Sequence, residues 1–194
     1  PYDGFAQPSL ALGNLSSLTS LSLVVNPSMF TEYSFHNLAS ALKRLPNLVY
    51  LHLNLARNEK AIDEHVQKLF SSLKTSTSLR FLDLNLSFQN SLSDSALETL
   101  KDSLKELVLL KDLSLDFNGA ERFTNKGVES LCDSLQKLQD LCSLALNFGS
   151  NQEIDERAVE KMAQTLECLP ALKEVGLTLV KCSKLVENGN SLAR

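Results

Sequence analysis

From Leu18 onward the chain repeats one spacing, Leu-x-x-Leu-x-Leu-x-Leu, whose last position also accepts another large apolar side chain. The copies are Leu18, Leu21, Leu23, Val25, then Leu48, Leu51, Leu53, Leu55, then Leu79, Leu82, Leu84, Leu86. Three more follow: Leu110, Leu113, Leu115, Phe117, then Leu141, Leu144, Leu146, Phe148, then Leu172, Val175, Leu177, Leu179. From Leu48 to Leu172 the leading leucines keep one constant interval, and only the step from Leu18 to Leu48 is a single place shorter. Chance does not produce such regularity, and a period of this length marks a repeat architecture. The last three apolar positions of each copy alternate with other residues, so they point to one side of a short strand.

Between copies the period becomes helical. Leu97, Leu100 and Leu104 form a stripe, as do Val128, Leu131 and Leu135, and Val159, Met162 and Leu166. Val66, Leu69 and Leu73 make the same stripe one unit earlier, and Leu38 with Leu42 the one before. Ser93, Thr124 and Asp155 are good N-caps, each preceded by a large apolar residue and followed four places later by another. That is a hydrophobic staple repeated three times. Ile62 and Asp63 begin the same pattern, but with Asp63 as cap Val66 arrives one place early, which predicts an irregular helix start.

A strand and a helix per unit, neither able to bury its own apolar face, predict stacked units sharing one core. Helices are wider than the strand spacing of roughly 4.8 Å, so the stack should curve with its parallel strands inside. The predicted fold is α/β: a curved solenoid, or horseshoe, with strands on the concave face and helices on the convex face. One domain spanning residues 1–194, of about six units, is expected.

These units resemble the leucine-rich-repeat family, and most closely its ribonuclease-inhibitor-like subclass, which has a true helix in every repeat. The likeness covers roughly residues 12 to 193. Gly127-Val128-Glu129-Ser130-Leu131-Cys132-Asp133-Ser134-Leu135 is similar to the helical half of such repeats, including those of NOD-like receptors. Leu141-Cys142-Ser143-Leu144-Ala145-Leu146-Asn147 continues it, and the longer unit resembles repeats of protist proteins. Two features depart from the family pattern. The units are longer than is usual there, and the asparagine expected after the strand is present only as Asn58 and Asn151. Ser28, Gln89, Ala120 and Cys182 stand at the matching places, so an unbroken asparagine ladder is not expected.

The first residues match the closing turn of an earlier helix, Leu12 and Leu15 corresponding to Leu42 and Leu45, with Pro8 disrupting what precedes. Leu185, Val186, Glu187, Asn188 and Gly189 match the opening of a further unit. The expectation is a piece of a longer array.

Composition adjusts this picture in a few respects. The formal net charge is −4 and charges of both signs are interspersed, which does not suit a nucleic-acid surface. No apolar run approaches the roughly 18 residues of a membrane span. Cys132, Cys142, Cys168 and Cys182 match no zinc spacing, and reduced thiols in an intracellular, cytoplasmic protein are expected. His36, His52 and His65 are isolated, and no phosphate loop, Gly-x-Ser-x-Gly, His-Glu-x-x-His or Cys-x-x-Cys occurs. No catalysis, cofactor, metal or small-molecule substrate is expected.

Any function should lie on the concave face, where the residues between inward positions form three columns. The first is Ser20, Tyr50, Phe81, Asp112, Ser143 and Glu174; the second Ser22, His52, Asp83, Ser114, Ala145 and Gly176; the third Val24, Asn54, Asn85, Asp116, Asn147 and Thr178. Tyr50 and Phe81 should be adjacent and exposed beside His52 and Asp83, as befits a protein contact, unless Phe81 packs against the preceding loop. Asn54, Asn85, Asp116 and Asn147 face a ligand, satisfy one another or simply keep an exposed strand soluble. The candidate binding residues are therefore Tyr50, His52, Asn54, Phe81, Asp83, Asn85, Asp112, Asp116 and Asn147, with another protein as partner. The charges of the helices, such as Glu98, Lys101, Asp102, Lys105, Asp133 and Lys137, read as a solvated surface. Two other functions are open: a structural part of a large assembly packed by its edges or convex side, and, by the subclass resemblance, a GTPase activator using Arg57.

Overall fold

The computed structural model describes residues 5–185. Among the described residues six α-helices alternate with six strands: α1 Ala6–Gly13, β1 Ser20–Val24, α2 Glu32–Leu42, β2 Tyr50–Asn54, α3 Asp63–Ser72, β3 Phe81–Asn85. The series continues as α4 Asp94–Leu104, β4 Asp112–Asp116, α5 Asn125–Leu135, β5 Ser143–Asn147, α6 Glu156–Glu167 and β6 Glu174–Thr178. All strands join one parallel sheet in chain order. Each helix packs on the next helix, forming the second layer. The result is a curved α/β repeat solenoid.

The inward strand positions are the ones that the spacing names. Leu53, Leu84, Leu115 and Leu146 align across the sheet and are buried, as are Leu51, Leu82, Leu113 and Leu144. The third position, Leu55, Leu86, Phe117 and Phe148, is buried too. Its amides prolong the ladder beyond the strands, Leu55 N–H donating to Asn85 O and Phe117 N–H to Asn147 O. Beneath it, Phe117, Phe123 and Phe148 pack ring to ring, with centroids 5.3, 5.6 and 6.3 Å apart.

Ser93, Thr124 and Asp155 do cap α4, α5 and α6, accepting from the amides of Ser95, Lys126 and Arg157. Leu97 and Val128 are buried as staple residues, but in α6 Ala158 is buried while Val159 is only half-buried. The start of α3 corrects the expected register. Ile62, not Asp63, is its N-cap and supplies no side-chain bond, while Ala61 takes the buried staple place. The helix thus begins in step with the others, and the irregularity is only that its cap is apolar. Pro8 likewise lies within α1, in a first turn whose amides need no helical partner.

With the cap settled, Asp63 is free for a different task. Its carboxylate accepts from the backbone amide of Ser93, the next unit's cap, at 2.8 Å. Asp94 does the same for Thr124 at 2.8 Å, and Asn125 for Asp155 at 3.0 Å. Each first-turn side chain therefore fixes the following helix start. Gly127 leaves room for this arrangement, since a Cβ there would collide with the Asp94 carboxylate and with Leu97.

The post-strand ladder is more continuous than its asparagines. Asn58 Nδ2 donates to Phe30 O, Gln89 Nε2 to Leu55 O and Asn151 Nδ2 to Phe117 O and Phe148 O. Cys182 Sγ–H donates to Phe148 O at 3.4 Å, while Ala120 is buried without a side-chain donor. The final strand differs from the rest: all five residues of β6 are exposed, including Val175 and Leu177. The sequence match running through Val186, Glu187, Asn188 and Gly189 lies outside the described residues.

Candidate functional site

Strand pairing places the three concave columns in the expected register. Tyr50 pairs with Phe81 and Phe81 with Asp112; His52 pairs with Asp83; Asn54, Asn85, Asp116 and Asn147 follow one another. Alternation puts these side chains opposite the buried leucines, so the same period that builds the core presents them to solvent.

Tyr50 and Phe81 are each 39% exposed, with ring centroids 6.3 Å apart and planes tilted by 41°. Phe81 therefore packs across the sheet on Tyr50. Two places along, His52 Nδ1–H donates to Asp83 Oδ2 at 2.8 Å. The carboxylate can only accept, which orients the ring. This leaves one Asp83 oxygen uncommitted to His52, with the side chain 42% exposed.

The third column is bonded within each unit rather than across units. Asn54 Oδ1 accepts from Ala56 N–H at 3.2 Å, Asn85 Oδ1 from Ser87 at 3.0 Å, Asp116 Oδ1 from Asn118 at 3.0 Å and Asn147 Oδ1 from Gly149 at 3.0 Å. Each folds back on the amide two places ahead, an Asx turn that starts the loop. The row is thus first a device for turning the chain.

Those loops carry a feature that the residue types did not signal. Arg57, Phe88, Gly119, Ser150 and Lys181, one per unit at matching places, all have φ between 59° and 71°. The backbone of the first four is set by a further ladder: Arg57 N–H to Ser87 O, Phe88 to Asn118 O, Gly119 to Gly149 O and Ser150 to Val180 O. Only one of the five is glycine, the residue suited to that region. The Arg57 guanidinium lies 4.5 Å from the centroid of the exposed Phe88 ring, whose other neighbour is Gly119.

The convex side is a solvated surface with local ion pairs, Lys101 with Glu98 at 3.2 Å, Lys105 with Asp102 at 3.1 Å and Lys161 with Asp133 at 2.7 Å. The hydrogen bond from Lys105 holds the Asp102 carboxyl below its ordinary range. Open grooves of about 380 and 420 Å³ lie between α2 and α3, sharing His36, Glu64 and Lys68. They are open clefts between helices, and none of the concave candidates lines them. Cys132 and Cys182 are buried, Cys142 is half-buried and Cys168 exposed, all as free thiols. Burial pushes the Cys132 thiol up to about 11. Among the described residues, no group of three or more His, Cys, Asp or Glu could hold a metal ion, and no helix is long and apolar enough to cross a membrane.

No family model matches the chain, and no curated protein matches it. Solved structures do. The tropomodulin C-terminal domain of Caenorhabditis elegans is similar over 82% of this chain and 92% of its own, with a TM-score of 0.60 and 16% identity. Toll-like receptor TLR13 in its complex with ssRNA13 aligns over 87% of this chain and 34% of its own, with a TM-score of 0.32 and 16% identity. At such identities the first likeness bears on architecture alone, and it agrees with the repeat spacing and the sheet order: the fold is a leucine-rich-repeat solenoid.

Proposed function

We propose that this chain is a protein-binding module, without catalytic activity, that receives its partner on the concave sheet. The centre is Tyr50, His52, Phe81 and Asp83, and the footprint extends to Asn54, Asn85, Asp112, Asp116 and Asn147. One observation carries the reading: an exposed, mutually packed aromatic pair whose neighbours on the sheet face are polar, beside an oriented histidine–carboxylate pair. Aromatic anchors that lose water on binding dominate many interfaces, and a rigid curved sheet offers them at little cost in reorganisation. The ribonuclease-inhibitor-like subclass is supported by a true helix in every complete unit. An intracellular, cytoplasmic setting is the reading that four free thiols support.

The test is a pull-down of partners from the source cell with the Tyr50→Ala/Phe81→Ala variant as control. Capture should fall about tenfold or more while the melting curve is kept. Undiminished capture by a normally melting variant would move the site elsewhere.

A second reading is a structural part of a large assembly packed by its edges or convex side. Substituting exposed convex residues such as Glu98 and Asp102 and following incorporation into any large complex separates it from the first. GTPase activation through Arg57 is the least favoured, because that guanidinium already rests on Phe88. An unchanged hydrolysis rate on adding the chain to a GTPase would close that possibility.

A further inference from the structure

We propose, resting on the concave-face reading above, that the docked segment carries arginine and that one guanidinium lies on Phe81 between Asp112 and Asp83. Three positions on each of the six strands face the concavity, and none holds Lys or Arg, although the chain has 19 of them. Four hold a carboxylate: Asp83, Asp112, Asp116 and Glu174. The face is therefore acidic on a protein that is only mildly so overall. Arg80 and Lys111, immediately before β3 and β4, bound the acidic strip at its rim.

Charge alone would accept any cation; the placement around Phe81 is more selective. Its ring has Tyr50 on one neighbouring strand and Asp112 on the other. Neighbouring strands run about 4.8 Å apart, and Asp83, two places along, is about 6.6 Å away. A planar guanidinium can stack on a ring while its edge donates to carboxylates on two sides, which a compact ammonium cannot do. The Asp83 oxygen left over from the His52 bond is one such acceptor. The chain itself displays the stacked half of this contact, in Arg57 over Phe88 at 4.5 Å. Nucleic acid and acidic segments are disfavoured by the same field.

The probe is a fluorescent octapeptide of alternating glycine and arginine, with lysine and glutamate counterparts, read by anisotropy at low salt. The arginine peptide should bind, the lysine peptide about fivefold or more weaker, and the glutamate peptide not at all. Phe81→Ala and the isosteric Asp112→Asn should each weaken the arginine peptide roughly tenfold. Equal affinity for the arginine and lysine peptides, or indifference to Phe81→Ala, overturns the inference. Partner capture then separates the two levels. Capture lost in Tyr50→Ala/Phe81→Ala but kept in Asp83→Asn/Asp112→Asn removes the arginine inference alone. Capture kept in both removes the concave-face reading as well.

Discussion

Leu84 and Leu177 hold the same place in the repeat, three units apart, yet the fold treats them differently. Leu84 stands between Leu53 and Leu115 and is 1% exposed. Leu177 has Leu146 on one side, no strand on the other among the described residues, and is 39% exposed. The spacing of apolar residues thus decides which way a side chain points. Whether it is buried depends on having a neighbour on both sides, because each unit completes its core with its neighbours' side chains.

That comparison can be broken most directly by truncating its two members. Leu84→Ala should lower the unfolding free energy by about 2–5 kcal/mol, as for a packed leucine, and Leu177→Ala by about 1 kcal/mol, since more than a third of that side chain stays in water. Urea denaturation of both variants decides it, and losses equal within error would show that burial is not what separates them.

A smaller contrast lies at the helix starts. Asp94 fastens the next cap by two bonds, from the Thr124 amide and from its hydroxyl, whereas Asn125 fastens the Asp155 amide by one. Asp94→Ala should cost about 1–2 kcal/mol. Asn125→Ala should cost about 1 kcal/mol or less, as for a single neutral hydrogen bond. An Asn125 variant as damaged as the Asp94 one would mean that the second bond adds nothing.

The loop column offers a finer test. Phe88 and Gly119 share a left-handed backbone, which suits glycine and strains phenylalanine. Phe88→Gly should raise stability, by about 1 kcal/mol at most, after the lost Arg57 contact is subtracted. Gly119→Ala should lower it, since its Cβ would stand 2.9 Å from the Phe88 ring. Thermal melts of the pair should move in opposite directions, and a shared direction would refute the strain argument. The smallest effect concerns reactivity alone. Timed alkylation of the native protein should modify exposed Cys168 first and Cys132 last, because burial keeps that thiol protonated to about pH 11. Early labelling of Cys132 would place its helix outside the core.

Strand register was wholly legible in the chain, because alternation and a near-constant repeat length leave one alignment that turns the strand leucines to a single face. The concave columns followed from the same rule, and so did the adjacency of Tyr50 to Phe81 and of His52 to Asp83. Their contacts did not follow, since rotamers answer to neighbours rather than to spacing. Phe30 and Phe35 are not picked out by the helical stripes, although they stand one repeat before Ala61 and Val66 and are buried. They lie in the one unit that is a place shorter than the others, upstream of the stripe traced from Leu38. The left-handed column was hidden for another reason. Its conformation is imposed by backbone bonds to the next loop, which any residue can make, so Arg57, Phe88 and Ser150 carry no compositional mark.

Every strand and every helix packs mainly against the next of its kind, a single repeat away along the chain. Time, as well as free energy, is shaped by this. Order can spread as a front from any pair of adjacent units, since no distant ends must first meet. Opening should likewise travel from unit to unit, so that amide protons of β3 and β4, which have a paired strand on both sides, wait for the front to reach them.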